Sequence, residues 1–119
     1  MITYFVYIMS NKSRRLYIGI TNNLPVRMLQ HKYKAFPDSF TARYSFDTLV
    51  YFERFYNPHL AIARETEIKK WRREKKLKLI ATMNQDWADL SAEWREDEGW
   101  HALPDAEYRP KLRPRRRSE

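Results

Sequence analysis

Two tyrosines, Tyr7 and Tyr17, precede an arginine and a histidine four residues apart, Arg27 and His31, and a glutamate, Glu65, follows further along the chain. Side chains of these types can cut a phosphodiester. The reaction needs a deprotonated water in line with the leaving oxygen, charge relief on the phosphoryl oxygens and stabilisation of the departing oxyanion. Arg27 suits the phosphate, because a guanidinium stays charged and grips oxygens in a fork. One divalent metal can stabilise the departing oxygen. Mg²⁺ keeps several of its waters and often uses only one or two carboxylates, so Glu65 is a sufficient anchor. The base has several candidates. Tyr7 or Tyr17, with a reference pKa of about 10, would need a cation such as Arg27 to lower it, whereas His31, near 6.5, needs less help.

Few other chemistries can be assembled from this sequence. It has no cysteine, no glycine-rich phosphate loop and no serine-centred triad motif. The missing cysteines exclude disulfides and thiolate metal sites and suit a reducing cytoplasm. The apolar opening, residues 1–9, is too short to span a bilayer and lacks a basic leader and a small-residue cleavage site. At 119 residues the chain affords one domain plus a tail, and its 43% hydrophobic content is enough for a core without staples.

Charge separates the chain into parts. Residues 1–85 carry 16 basic and 6 acidic side chains, a net +10, whereas residues 86–98 sum to −5 and residues 105–119 to +3. The positive body favours polyanions, since each neutralised phosphate releases counterions. Lys70, Arg72, Arg73, Lys75 and Lys76 are its densest stretch and the candidate nucleic-acid contacts. A lysine-rich soluble surface would have the same composition.

The elements that must position these residues alternate strand and helix. Residues 2–9 and 15–21 are rich in β-branched and aromatic side chains, and the polar residues 10–14 suit a hairpin turn. With a three-residue loop over 11–13, Tyr7 faces Tyr17 on one face together with Gly19, which leaves a gap beside both rings. Val6, Ile8, Leu16, Ile18 and Ile20 then line the other face. Asn23 can cap a helix over 24–34 with Pro25 in its first turn. Val26, Leu29 and Tyr33 form its apolar stripe, and Arg27 and His31 lie on the neighbouring face. Residues 35–47 read as a loop and 48–54 as a third strand. Asn57-Pro58 then opens a long helix with Leu60, Ala61, Arg64, Ile68 and Trp71 on one side and Glu65 at the rim. Its basic part runs to Lys78, and a helix or turn over 77–83 and a short segment around Trp87 close the fold. Each candidate also has an ordinary structural reading: strand tyrosines pack, Arg27 and His31 can share a solvated helix face, and Glu65 with Lys69 is an i,i+4 ion pair.

In this order the residues resemble the GIY-YIG nuclease superfamily, and most closely its small bacterial UPF0213-like branch. Phe5-Val6-Tyr7 stands for the first motif, with Phe-Val where the family name has Gly-Ile, and Tyr17-Ile18-Gly19 for the second. Leu24-Pro25-Val26-Arg27-Met28-Leu29-Gln30-His31 matches the first helix, and the segment from Ala63 to Trp71 carries the glutamate of the later one. The stretch from Leu79 through Asn84 to Trp87 is similar to the branch's closing pattern, with Gln85 where proline is usual.

The resemblance covers about residues 2–90. It implies an α/β (α+β) fold, a three-stranded, largely antiparallel sheet flanked by helices, over residues 1–92; beyond it the composition, acidic and then rich in proline and arginine, reads as a charged and mobile extension over 93–119. It also implies a metal-dependent endonuclease hydrolysing DNA with weak sequence preference, with one Mg²⁺ or Mn²⁺ on Glu65, Arg27 on the phosphate, and the two tyrosines and His31 around the attacking water. Tyr7 is taken as the base, with Tyr17 and His31 positioning, and all five residues are expected on one concave face. Gly19, Lys69 and Asn84 are expected to shape and position the site. Branched, nicked or single-stranded DNA is the expected substrate, RNA is a further candidate, and repair or recombination the expected setting. A binding module with the same fold and no turnover is the rival reading.

Overall fold

A computed structural model describes residues 2–34, 36–92 and 94. Three strands, β1 (Tyr4–Ser10), β2 (Leu16–Thr21) and β3 (Thr48–Phe55), form one antiparallel sheet in the order β2-β1-β3. The α+β class expected of the sequence is the observed one. Period-two patterning puts alternate side chains of β1 on opposite faces, and each face is covered by helix. On one face Val6, Ile8, Ile18 and Val50 pack with Ala61 and Ile68 of α3 (Pro58–Lys69) and Ile80 of α4 (Arg73–Met83). On the other, Tyr7, Met9, Tyr17 and Leu49 pack with Leu24 and Met28 of α1 (Leu24–Lys32) and with Phe46. Each large aliphatic side chain so buried contributes about 1.5–3 kcal/mol.

Local chemistry sets the element ends. Asn23 accepts from the Val26 N–H to cap α1, with Pro25 in its first turn. Asn57 accepts from the His59 and Leu60 N–H groups to cap α3, with Pro58 next. Both are starts that the sequence announces, because proline lacks a donor that would be orphaned there anyway.

Several details depart from the sequence reading. The β1–β2 loop spans residues 11–15, two longer than expected. Asn11 closes it by accepting at Oδ1 from the Ser13 hydroxyl and the Arg15 N–H, with Arg14 at φ 63°. The pairing therefore slides by two residues: Tyr7 faces Gly19, and Tyr17 faces Met9. An even shift keeps every side chain on its expected face. Tyr33 is 63% exposed, its place in the α1 stripe being taken by Leu24 and Met28, and Leu60 is 59% exposed on α3. Within the stretch read as loop, Ser39 caps a one-turn helix, α2 (Phe40–Arg43).

The long helix also breaks. Trp71 N–H bonds to Ile68 O, and Arg72 turns extended at ψ 158° before α4 begins. A straight helix would hold Ile68 and Ile80 about 18 Å apart, yet both pack in one cluster. Burial of Ile80 requires the turn. The expected mobile extension over 93–119 lies, Trp94 excepted, outside the described residues; Trp94 packs on Phe52 with ring centroids 6.4 Å apart.

Candidate active site

The hydroxyl of Tyr7 is the centre of the arrangement. Gly19, directly across the ladder, leaves the space its ring occupies: a Cβ there would stand 2.5 Å from the Tyr7 Cζ and hydroxyl and 3.0 Å from Tyr17 Cε2. From α1, Arg27 donates through Nε to the Tyr7 hydroxyl at 3.2 Å, and His31 Nε2 lies 3.1 Å from the same oxygen. The i,i+4 spacing brings both α1 side chains over one ring. Tyr17 joins from β2, its ring 6.3 Å from that of Tyr7 and edge-on to His31 at 5.9 Å.

The electrostatics set the charge of the imidazole. Burial, and then the Arg27 cation, hold the His31 imidazole well below its usual range, so it is neutral at pH 7. A hydroxyl that accepts from a guanidinium has one hydrogen left to give. With His31 neutral, Nε2 can accept it, and the imidazole proton then resides on Nδ1. In that tautomer the Tyr7 O–H points at a base while its oxygen faces a cation.

These residues are almost wholly inside, Tyr7 at 0%, Arg27 at 3% and His31 at 6% exposure. Arg27 and His31 border a small pocket that Gln30, Phe36, Ser39 and Thr41 also line. Gln30, which the sequence reading passed over, accepts from Arg27 Nη1 at 2.9 Å and fixes the guanidinium; its i,i+3 spacing from Arg27 is the signal that could have found it. Two of the five guanidinium N–H groups are thus engaged, leaving three for a ligand. Phe40 and Phe46 wall the Tyr17 ring at 6.3 and 5.9 Å, an aromatic density visible in residues 36–46.

Glu65 stands elsewhere. It is buried between Ala61 and Ile68 on α3, in the layer over Val6, Ile8 and Ile18, and not in the layer that holds the two phenols. Both layers draw on all three strands, and β2, at one edge of the sheet, carries Tyr17 into one layer and Ile18 into the other. Lys69 Nζ approaches Glu65 Oε2 to 3.2 Å as an i,i+4 ion pair, but off hydrogen-bond alignment, and that buried oxygen has no hydrogen-bond donor. Asn84 is structural in its contacts, donating to the Val50 and Ala88 carbonyls and accepting from Ala88 N–H. Arg72, Arg73 and Lys75 are exposed, as is Lys70, and Lys76 is half-buried.

A family model, the GIY-YIG catalytic domain, matches residues 3–78. The chain belongs to the GIY-YIG nuclease superfamily. Its matched relatives place it in the UPF0213 branch. A UPF0213 protein of Clostridium perfringens is 41% identical over 78 residues, which is 66% of this chain and 83% of that one. One from Oceanobacillus iheyensis is 35% identical over 83 residues, covering 70% and 95%, and one from Staphylococcus haemolyticus 36% over 80 residues, covering 67% and 96%. A solution NMR structure of a UPF0213 protein from Bacillus halodurans aligns with 78% of this chain and 99% of that one, at 23% identity and a TM-score of 0.49. Among the described residues of this GIY-YIG chain, no helix is long and apolar enough to cross a membrane.

Proposed function

We propose that the chain is a metal-dependent endonuclease that hydrolyses DNA phosphodiester bonds with weak sequence preference, acting in the cytoplasm in repair or recombination. The observation that carries this reading is the Tyr7 hydroxyl held between the Arg27 guanidinium and a neutral His31. Tyr7 passes its proton to His31 Nε2 and takes one from the attacking water, and the remaining Arg27 N–H groups receive the phosphoryl oxygens. Tyr17, whose ring stands edge-on to His31, positions the water.

The donor set fits a hydrated cation. The buried Glu65 Oε2 has no hydrogen-bond donor, so a cation can take it once the Lys69 ammonium at 3.2 Å moves aside, and no cluster of three or more metal-ligating side chains exists among the described residues. Glu65 would hold one Mg²⁺ or Mn²⁺ with water completing the shell, and the ion would stabilise the departing oxygen. The scissile phosphate is proposed to lie along the edge of β2, which carries Tyr17 on one face and, on the other, Ile18 in the layer of α3.

The test is nicking of supercoiled plasmid by the full chain with Mg²⁺ or Mn²⁺. Tyr7→Phe and Glu65→Gln, with folding checked by circular dichroism, are each expected to lose at least about 10²-fold in rate. Cutting by either variant at the wild-type rate would remove that residue from the mechanism. Salt-sensitive DNA binding without cleavage of any DNA architecture would leave the binding-module reading instead.

A further inference from the structure

We infer that the β1–β2 turn and the start of α4 form one basic surface that holds the sugar-phosphate backbone of duplex nucleic acid beside the site. The two elements are distant in sequence and locked in space, since Arg73 Nη2 donates to the Arg14 carbonyl at 2.8 Å. The turn supplies Lys12, Arg14 and Arg15, all exposed, and the helix start supplies Arg72, Arg73, Lys75 and Lys76. Glu74 is the single acid within residues 11–15 and 72–78.

Cation repulsion on this surface is offset only in part, by Glu74 in the first turn of α4 and by the rings beneath Arg14, Arg15 and Lys75. None of its cations pairs with a carboxylate among the described residues, where the ion pairs engage Lys32, Arg64 and Lys69 instead. Arg72 and Arg73 stand at the positive end of the α4 dipole, where cations are disfavoured, and the helix start has no side-chain cap. Burial and the Arg73 cation also hold the Lys76 ammonium below its usual range. Backbone phosphates relieve all three strains at once.

Duplex is favoured over single strand by what happens to the aromatic rings. Single strands are held by stacking bases on exposed rings. Here the Arg14 guanidinium covers Trp87 at 4.5 Å, Lys75 and Arg64 cover Trp71 at 4.3 and 5.2 Å, and Arg15 covers Tyr44 at 4.8 Å. The cations use the rings as supports, which leaves, among the described residues of this surface, only the partly exposed Tyr44 as a ring for stacking. From Tyr7 to Ser10, where the turn begins, is about 10 Å along β1, or about three base-pair rises. The inference rests on the nuclease reading for the position of the scissile phosphate, but the contact itself does not need cleavage.

The test measures fluorescence anisotropy of labelled duplex and of single strand of equal length with the full chain, in EDTA, across about 50–200 mM salt. Wild type is compared with Lys12→Gln/Arg72→Gln. Both side chains are exposed, and neither has a hydrogen bond or ion pair among the described residues. Circular dichroism and the urea midpoint should match wild type. The log–log salt slope for duplex is expected to fall by about 1.8, about 0.9 per lost contact, and wild type should bind duplex more tightly than single strand. An unchanged slope, or single strand bound as tightly as duplex, would overturn the inference. Because binding is read without metal, a wild type that shows the slope change yet never nicks plasmid sinks the nuclease reading alone. Nicking with an unchanged slope sinks the surface alone.

Discussion

The Tyr7 ring can sit beneath α1 because the residue opposite it has no side chain. Gly19→Ala would drive a methyl into a fully buried ring whose neighbours, Met28 and Leu24, are also buried, so nothing close by can yield cheaply. We expect it to destabilise the fold by about 1–3 kcal/mol, read as a lower urea midpoint. The larger effect should be chemical. A displacement of about 1 Å breaks the bonds from the Tyr7 hydroxyl to Arg27 and His31, and such misplacement can cost about 10²-fold. Nicking should therefore fall by more than the loss of folded protein explains. Nicking at the wild-type rate by the folded variant would show that the hydroxyl need not be held there.

At the scale of elements, the segment after α4 completes β3. The β1–β3 ladder has a bulge at Val50, where Ile8 pairs with Tyr51 and Met9 with Leu49. The outward edge of β3 at this point is satisfied by the chain beyond α4. Asp89 Oδ1 accepts from Leu49 N–H, Leu90 N–H donates to Leu49 O, and Asn84 Nδ2 donates to Val50 O. Lys32 then ties α1 to the same Asp89 at 2.7 Å. An edge strand left bare would be a site for unwanted pairing. Asn84→Ala leaves the Val50 and Ala88 groups unsatisfied and should cost about 2–3 kcal/mol, seen as a lower midpoint with an unchanged urea slope. Little change in the midpoint would mean that water replaces the amide. A second clamp holds α3 to β3: Arg64 donates through Nε and Nη2 to Glu53 at 2.9 and 2.8 Å, and Tyr51 donates to Glu53 at 2.6 Å.

The whole molecule should be acid-sensitive in two stages. His31 is buried neutral, its imidazole held below the usual range by burial and by Arg27. The unfolded chain therefore binds a proton that the folded one refuses, and stability falls as pH drops below about 6.5, by up to about 1.4 kcal/mol per pH unit. Chemical denaturation between pH 7.5 and pH 5 (about one unit above His31's ordinary value to well below it) should show this slope, and His31→Gln should flatten it. An identical slope in that variant would assign the effect elsewhere. The second stage begins lower. Burial pushes Glu53 and Asp89 up, but hydrogen bonds from Arg64 and Tyr51 to the first, and from Lys32, Ser91 and Leu49 to the second, overcome it and hold both carboxyls below their usual range. Their stabilisation is present above about pH 4 and is lost as pH falls further.

The sequence by itself determined the elements and the faces. Strand alternation, the Asn23 and Asn57 caps with their prolines, and the helical spacing of Arg27 and His31 are local, and an even slip in the hairpin leaves the faces unchanged. Tertiary structure decided what depends on distance. The five-residue turn put Gly19 rather than Tyr17 across from Tyr7. Burial of Ile80 broke one long helix into two, and exposed Tyr33 and Leu60 fell out of stripes that periodicity alone would allow. It also set Glu65 on the helix covering one face of the sheet and the tyrosines on the other, which no local pattern encodes. A helix's own period states which side chains share a side; only the core it packs against decides which side turns inward, and against which face of the sheet.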